Sequence, residues 1–138
     1  MAAENVEKLH ALLRTLDTVM VTTVDDQNRL ISRPMALRVG DFGGTLFFLA
    51  PTNSRIISHI AARSAVNISF TSANSSVSLT GTADFTTNYN SVAEHWHSML
   101  APVAPPRGTT GAALIEVTID EARFWSVPPH GSTGATGA

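Results

Sequence analysis

The feature that most constrains the fold is an alternation of apolar and polar residues with a period of two, which recurs along the chain between clusters of turn formers. Residues 65–71 and 76–86 carry it most plainly, as in Val66-Asn67-Ile68-Ser69-Phe70, and residues 18–25, 30–39, 45–50 and 112–125 also read as strands. Period two is the side-chain repeat of a β-strand, so these runs predict six strands. The separators Asp25-Asp26-Gln27-Asn28 and Gly40-Asp41-Phe42-Gly43-Gly44 are short and turn-forming, and both are expected to close hairpins. With no strand–helix–strand rhythm, the expected class is mainly β with flanking α, a six-stranded antiparallel barrel with short helices.

Three helices are expected among the strands. In residues 4–16, Val6, Leu9, Leu12, Leu13 and Leu16 recur at spacings of three and four, the pattern of an amphipathic helix lying over an end of the sheet. Residues 56–61 form a second, preceded by Thr52, Asn53 and Ser54, any of which can serve as its N-cap. A third covers residues 91–100, followed by an irregular Pro-rich and Gly-rich stretch to Gly111. Gly81, inside a strand, marks a bulge or a close backbone approach.

A chain of 138 residues has the size of one domain. We expect residues 1–127 to form it and residues 128–138, rich in Gly, Ser, Thr and Pro, to be a disordered tail. A chain this long buries about two thirds of its unfolded surface, enough for one core but not for a deep cofactor cavity with a full shell of its own. Charged residues make up 14%, against about 25% in an average soluble domain, so a partner subunit is expected to cover part of the surface.

Several function classes are disfavoured. A net charge of -2 gives no electrostatic footprint for nucleic acid or an anionic membrane, and aromatic residues at 7% leave little for stacking on bases. The absence of cysteine removes disulfides, thiolate catalysis and Cys-based zinc sites. His95 and His97 stand two apart, a spacing that does not put both on one helix face, so no metal site is expected. No P-loop, GxGxxG or GxSxG pattern occurs, no apolar run is long enough to span a membrane, and a cytoplasmic location is expected.

Two cationic positions stand out. In the second strand Ile31, Arg33, Met35, Leu37 and Val39 share one face, which places Arg33 on the more apolar side. A guanidinium there costs several kcal/mol unless an anion or a set of acceptors compensates it. Either an incoming anionic ligand does so, or twist turns Arg33 outward, or an Asp or Glu pairs with it inside. Pro34 removes a ladder donor, so this strand is an edge or is interrupted. The second position is Arg55, in the first turn of a helix that follows the hydroxyl-rich Thr52-Asn53-Ser54. Helix-start N–H groups, hydroxyls and a guanidinium together make an anion cradle, although ordinary capping beside a solvated arginine reads the same way.

Ser32-Arg33-Pro34-Met35 on the second strand, residues 46–60 over the third strand and helix, residues 77–85, and Ala122-Arg123-Phe124-Trp125 occur in an order that resembles a known family. It is that of the FMN-binding split barrels related to pyridoxamine 5'-phosphate oxidase, in the branch of bacterial general stress proteins. The resemblance covers roughly residues 4–127 and implies a six-stranded antiparallel split β-barrel, forming a homodimer with FMN at the subunit interface. It implies that Ser32, Arg33, Pro34 and Met35 line the flavin, and that Phe48, Leu49 and Ala50 present strand backbone along the ring. Thr52, Asn53, Ser54 and Arg55 would hold the phosphate. Ser78, Thr80, Thr82 and Trp125 would approach across the interface.

Relatives commonly have lysine at the place of Arg55 and threonine near Ala50, and their loop after the third helix differs from residues 101–108. The substrate-holding residues of true pyridoxamine phosphate oxidases are not evident, so that reaction is not assigned. The expected function is therefore a flavoprotein, a flavin-dependent oxidoreductase acting on an unidentified small molecule. The alternatives are a non-enzymatic flavin-binding stress or redox module, or a split barrel binding deazaflavin or haem.

Overall fold

The computed structural model describes residues 3–37, 43–100 and 111–126, apart from the side chains of residues 3, 4 and 96–100. In chain order the elements are α1 (Ala3–Leu13), β1 (Thr18–Val24), β2 (Leu30–Ala36), β3 (Thr45–Pro51), α2 (Arg55–Ala62), β4 (Ala65–Thr71), β5 (Ser75–Thr86), α3 (Tyr89–Leu100) and β6 (Ala112–Ser126). The six strands form one sheet in the order β2-β1-β4-β5-β6-β3, every neighbour antiparallel, curled into a half-barrel.

The first expected hairpin is present: β1 and β2 pair from Val24↔Leu30 to Thr18↔Ala36. The second is not, and this corrects the sequence reading. β2 and β3 lie at opposite ends of the strand order and do not pair with each other. β3 instead pairs along its whole length with β6, from Thr45↔Thr118 to Pro51↔Ala112, and the Ile119 N–H extends the ladder to Gly44 O. Among the described residues β2 pairs with β1 alone, and at such an edge Pro34, which has no N–H to give, is tolerated. It also stops at Ala36, short of the expected Val39; residues 38–42 lie outside the described residues, as do 101–110 and the tail 127–138.

The core is on the concave side. Val19 and Val21 of β1, Phe48 of β3, Ile68 of β4, Leu79 of β5 and Ile115 and Val117 of β6 are buried in one cluster. Leu9 and Leu13 of α1, one turn apart and fully buried, and Ile56, Ile57 and Ile60 of α2 join it. Full burial of a leucine or isoleucine stabilises by about 1.5–3 kcal/mol, so these residues hold both helices on the sheet. The periodicity of α1 runs on to Leu16, yet the helix ends at Leu13. Residues 14–16 close in tight turns, with the Leu16 N–H on Leu13 O, while the Leu16 side chain still packs on the core.

β3 is covered on both faces. Leu46, Phe48 and Ala50 face the main core, whereas Phe47 and Leu49 pack with Val92 of α3 and Leu114 and Ala112 of β6. That explains its continuous apolar run. At Gly81 the β5–β6 register shifts, and a Cβ there would stand 2.6 Å from Thr118 O, so bulge and close approach coincide.

Candidate functional site

The β1–β2 register sets Arg33 opposite Val21 and Ile31 opposite Thr23, all four on the concave side. The Arg33 guanidinium turns inward: Nη1 donates to Thr23 Oγ1 at 2.8 Å and to Val21 O at 3.3 Å. Nη2 stands 3.5 Å from His59 Nδ1 on α2, and Thr23 Oγ1 is 2.8 Å from the same nitrogen. Thr23 is fully buried and His59 is 9% exposed. None of these partners is a carboxylate. Among the described residues the ion pairs are Arg29–Asp25 and Arg123–Glu121, so no carboxylate compensates Arg33. Burial accordingly pushes its pKa below the ordinary arginine value.

α2 reaches this cluster because its apolar stripe of Ile56, Ile57 and Ile60 is buried in the core while its far end is tied to the hairpin. At that end Arg63 Nη1 donates to Asp25 O at 2.8 Å. Between α2 and the hairpin lies a cleft of about 340 Å³, lined by Arg55, Ser58 and His59 on one side and by Asp25, Asp26, Arg29 and Ile31 on the other. Arg55 and His59 are one helical turn apart, so both face it.

Of the two carboxylates at the turn of the hairpin wall, Asp26 is exposed and Asp25 is engaged. Asp25 Oδ1 accepts the N–H groups of Gln27 and Arg29, and Oδ2 accepts Arg29 Nε, all at 2.8 Å. The Arg29 backbone N–H leads in holding the Asp25 carboxyl below its usual pKa, with the Arg29 side chain and Gln27 N–H adding to it against the effect of burial. Arg29 and Asp25 neutralise each other, whereas Arg55 is exposed and enters no ion pair among the described residues.

Ser54 is the N-cap of α2, the third of the three expected candidates, with extended backbone and no side-chain capping bond. Its hydroxyl donates instead to Pro51 O at 2.7 Å, so it does not occupy the N–H groups of the first turn. The Thr52 N–H binds Gly111 O at 3.0 Å, and Asn53 is exposed.

Of the residues singled out in the sequence, Arg55 lines the cleft, whereas Arg33 does not line it and reaches it only through His59, which touches Arg33 and stands one turn from Arg55. Ser32 and Pro34 are exposed on the convex side, Ser32 Oγ lying 2.6 Å from Thr22 Oγ1, while Met35 packs against the core. The Phe48 and Ala50 side chains are buried and Leu49 belongs to the α3 side, so these three offer a ligand only the backbone edge of β3. Ser78, accepting from Asn67 Nδ2 at 2.9 Å, exposed Thr80 and half-buried Trp125, opposite Ser76, lie on β5 and β6 and do not line the cleft. His95 stacks on Phe47 with ring centroids 4.3 Å apart.

Thr23 and His59 were missed in the sequence. Their signal was polarity at inward positions: Thr23 continues the face of Val19 and Val21, and His59 sits within the isoleucine stripe of α2.

No curated protein matches the sequence. Among solved structures, a Clostridium acetobutylicum protein related to general stress protein 26 superposes with a TM-score of 0.74 at 14% identity, covering 91% of either chain. A pyridoxamine 5'-phosphate oxidase-related, FMN-binding protein from Nostoc punctiforme gives 0.69 at 15% identity, covering 91% of this chain and 85% of that one. An F420 reductase gives 0.63 at 18%, covering 83% and 94%. At these identities the likeness is one of fold. The sequence itself matches the family described as pyridoxamine 5'-phosphate oxidase like over residues 4–136, nearly the whole chain, and to that family this protein belongs.

Proposed function

We propose that this protein is an FMN-binding flavoprotein, a flavin-dependent oxidoreductase acting on a small molecule, with the cleft between α2 and the β1–β2 hairpin taking the FMN phosphate. The observation that carries the reading is Arg33, a cation turned into the barrel with no carboxylate to compensate it. A half-buried charge is stabilised when a counter-charge joins it, and a phosphate in the adjoining cleft would be one. Arg55 and the uncapped first turn of α2 supply further donors from the same side. The Nostoc relative named as FMN-binding supports the choice of anion carrier.

A cleft of about 340 Å³ is at the lower end of small-molecule sites, which run to about 1,000 Å³ and bury most of their ligand. The ring system therefore extends past it, and a second copy of the chain supplies the remaining wall. Exposed Leu30 and Met20, at 73% and 39%, lie with Pro34 and Ala36 on the convex side of β1–β2, a separate apolar face open to contact with another chain. Bound there, the flavin supplies the hydride or electron transfer, and the protein binds and orients it.

The test is the absorbance of the purified protein and its titration with FMN. An oxidised-flavin band, or uptake of FMN with one site per chain, is expected; a colourless protein that takes up none overturns the reading. The F420 reductase neighbour raises a deazaflavin as the second candidate, and competition between the two cofactors decides it. Turnover with a reduced nicotinamide and an electron acceptor separates an enzyme from a binding module.

A further inference from the structure

His59 has a chemical position that the two arginines do not share. Its Nδ1 faces Thr23 Oγ1 at 2.8 Å and Arg33 Nη2 at 3.5 Å. A guanidinium has donors and no acceptor, so Arg33 can only donate to its neighbours here, which are Val21 O, Thr23 Oγ1 and the ring nitrogen. Arg33 Nη1 donates to Thr23 Oγ1, which leaves the threonine hydrogen free to point at Nδ1. Both neighbours of Nδ1 are then donors, and Nδ1 accepts. The ring proton of the neutral imidazole is thereby placed on Nε2.

Nε2 is on the opposite side of the ring from this pair, His59 lines the cleft, and among the described residues no group bonds to Nε2. A donor in a side chain that is 9% exposed costs stability when it goes without an acceptor. The cleft around it holds Arg55, Ser58, Asp26 and the Asp25–Arg29 pair, whose carboxylate already accepts three bonds, and none of them is bonded to Nε2. A ligand entering the cleft can supply the acceptor.

We propose that His59 is a ligand-binding residue of the cleft, its Nε2–H locked as donor by the Thr23–Arg33 pair and directed at a bound phosphate group. This rests on the reading that the cleft binds phosphate, and it adds the donor that makes recognition directional. Arg55, long and exposed, attracts an anion; a buried imidazole with one fixed N–H selects where its oxygen sits. Thr23 is a positioning residue that acts through His59.

The experiment uses the full chain labelled with ¹⁵N and reads the ring nitrogens of His59 before and after addition of inorganic phosphate, then of FMN. The Nε2–H tautomer is expected without ligand, and its Nε2 resonance is expected to move on addition of either. His59→Asn, which keeps a group at Nδ1 but none at Nε2, is expected to weaken FMN about 10-fold or more, and His59→Gln, with an amide N–H near Nε2, to recover to within about threefold. Thr23→Val is expected to release the tautomer preference. A resonance moved by phosphate in a protein that binds no FMN upholds the inference and removes the flavin. An Nδ1–H tautomer, a resonance indifferent to both ligands, or an Asn variant that binds FMN like the parent overturns it.

Discussion

Arg63 Nη1 donates to the main-chain oxygen of Asp25 at 2.8 Å, joining the C-terminal end of α2 to the turn that ends β1. The Thr23–His59 bond joins the same two elements about one helical turn earlier. The two bonds set the width of the cleft, since helix and hairpin are its walls.

Arg63→Ala is expected to cost about 1–2 kcal/mol in urea unfolding, the loss of one partly buried charged hydrogen bond. FMN affinity should fall with it, although Arg63 does not line the cleft. Unchanged stability would show that the tie is not made in solution.

Arg33→Ala and Arg55→Ala are each expected to weaken FMN by about 1.5–3 kcal/mol through loss of a charge-assisted bond to phosphate. Their stabilities should diverge. Arg55 is exposed and its removal should stay within about 0.5 kcal/mol, whereas Arg33→Ala strips Thr23 and His59 of their partner. Equal binding by both variants and the parent places the anion elsewhere.

The hairpin turn is expected to be acid-sensitive. Asp25 has its pKa lowered in the folded chain, chiefly by the Arg29 N–H, so its contribution is fully present above the unfolded carboxylate value and lost as pH falls through the folded one. The Tm gap between the parent and Asp25→Asn should therefore be widest at neutral pH and shrink once pH drops below about 4. A gap constant across that range counts against the bonding described for this carboxylate.

Gly81→Ala is expected to destabilise by about 1–3 kcal/mol, because the new Cβ would meet Thr118 O, a backbone atom that only moves with β6. Chemical denaturation measures it. A neutral substitution would mean that the β5–β6 bulge relaxes freely.

Much of this was legible in the chain. Strand parity put Arg33 on the concave side, where the structure finds it, and Gly81 carried both of its expected features. What parity cannot convey is the partner. Thr23 and Ile31 face each other across a register fixed by pairing, and His59 arrives from a helix that follows β3 in the chain, so the Arg33–Thr23–His59 contact exists only once α2 packs against β1. The false hairpin between β2 and β3 has the same origin. Turn formers report where a chain bends, not which strand lies beyond the bend, and the long ladder of β6 offers β3 a better neighbour than β2 with its proline.

The pairing of β3 with β6 also orders events during synthesis. β3 is complete at Pro51, but its sheet partner begins only at Ala112, whereas β1 finds β2 across a short turn and β4 finds β5 in the same way. A nascent chain therefore carries Phe47, Phe48 and Leu49 without their ladder until β6 emerges, and closes its last contacts over the longest stretch of sequence. Translation through β6 is the step at which this apolar segment stops being available to chaperones and to other nascent chains.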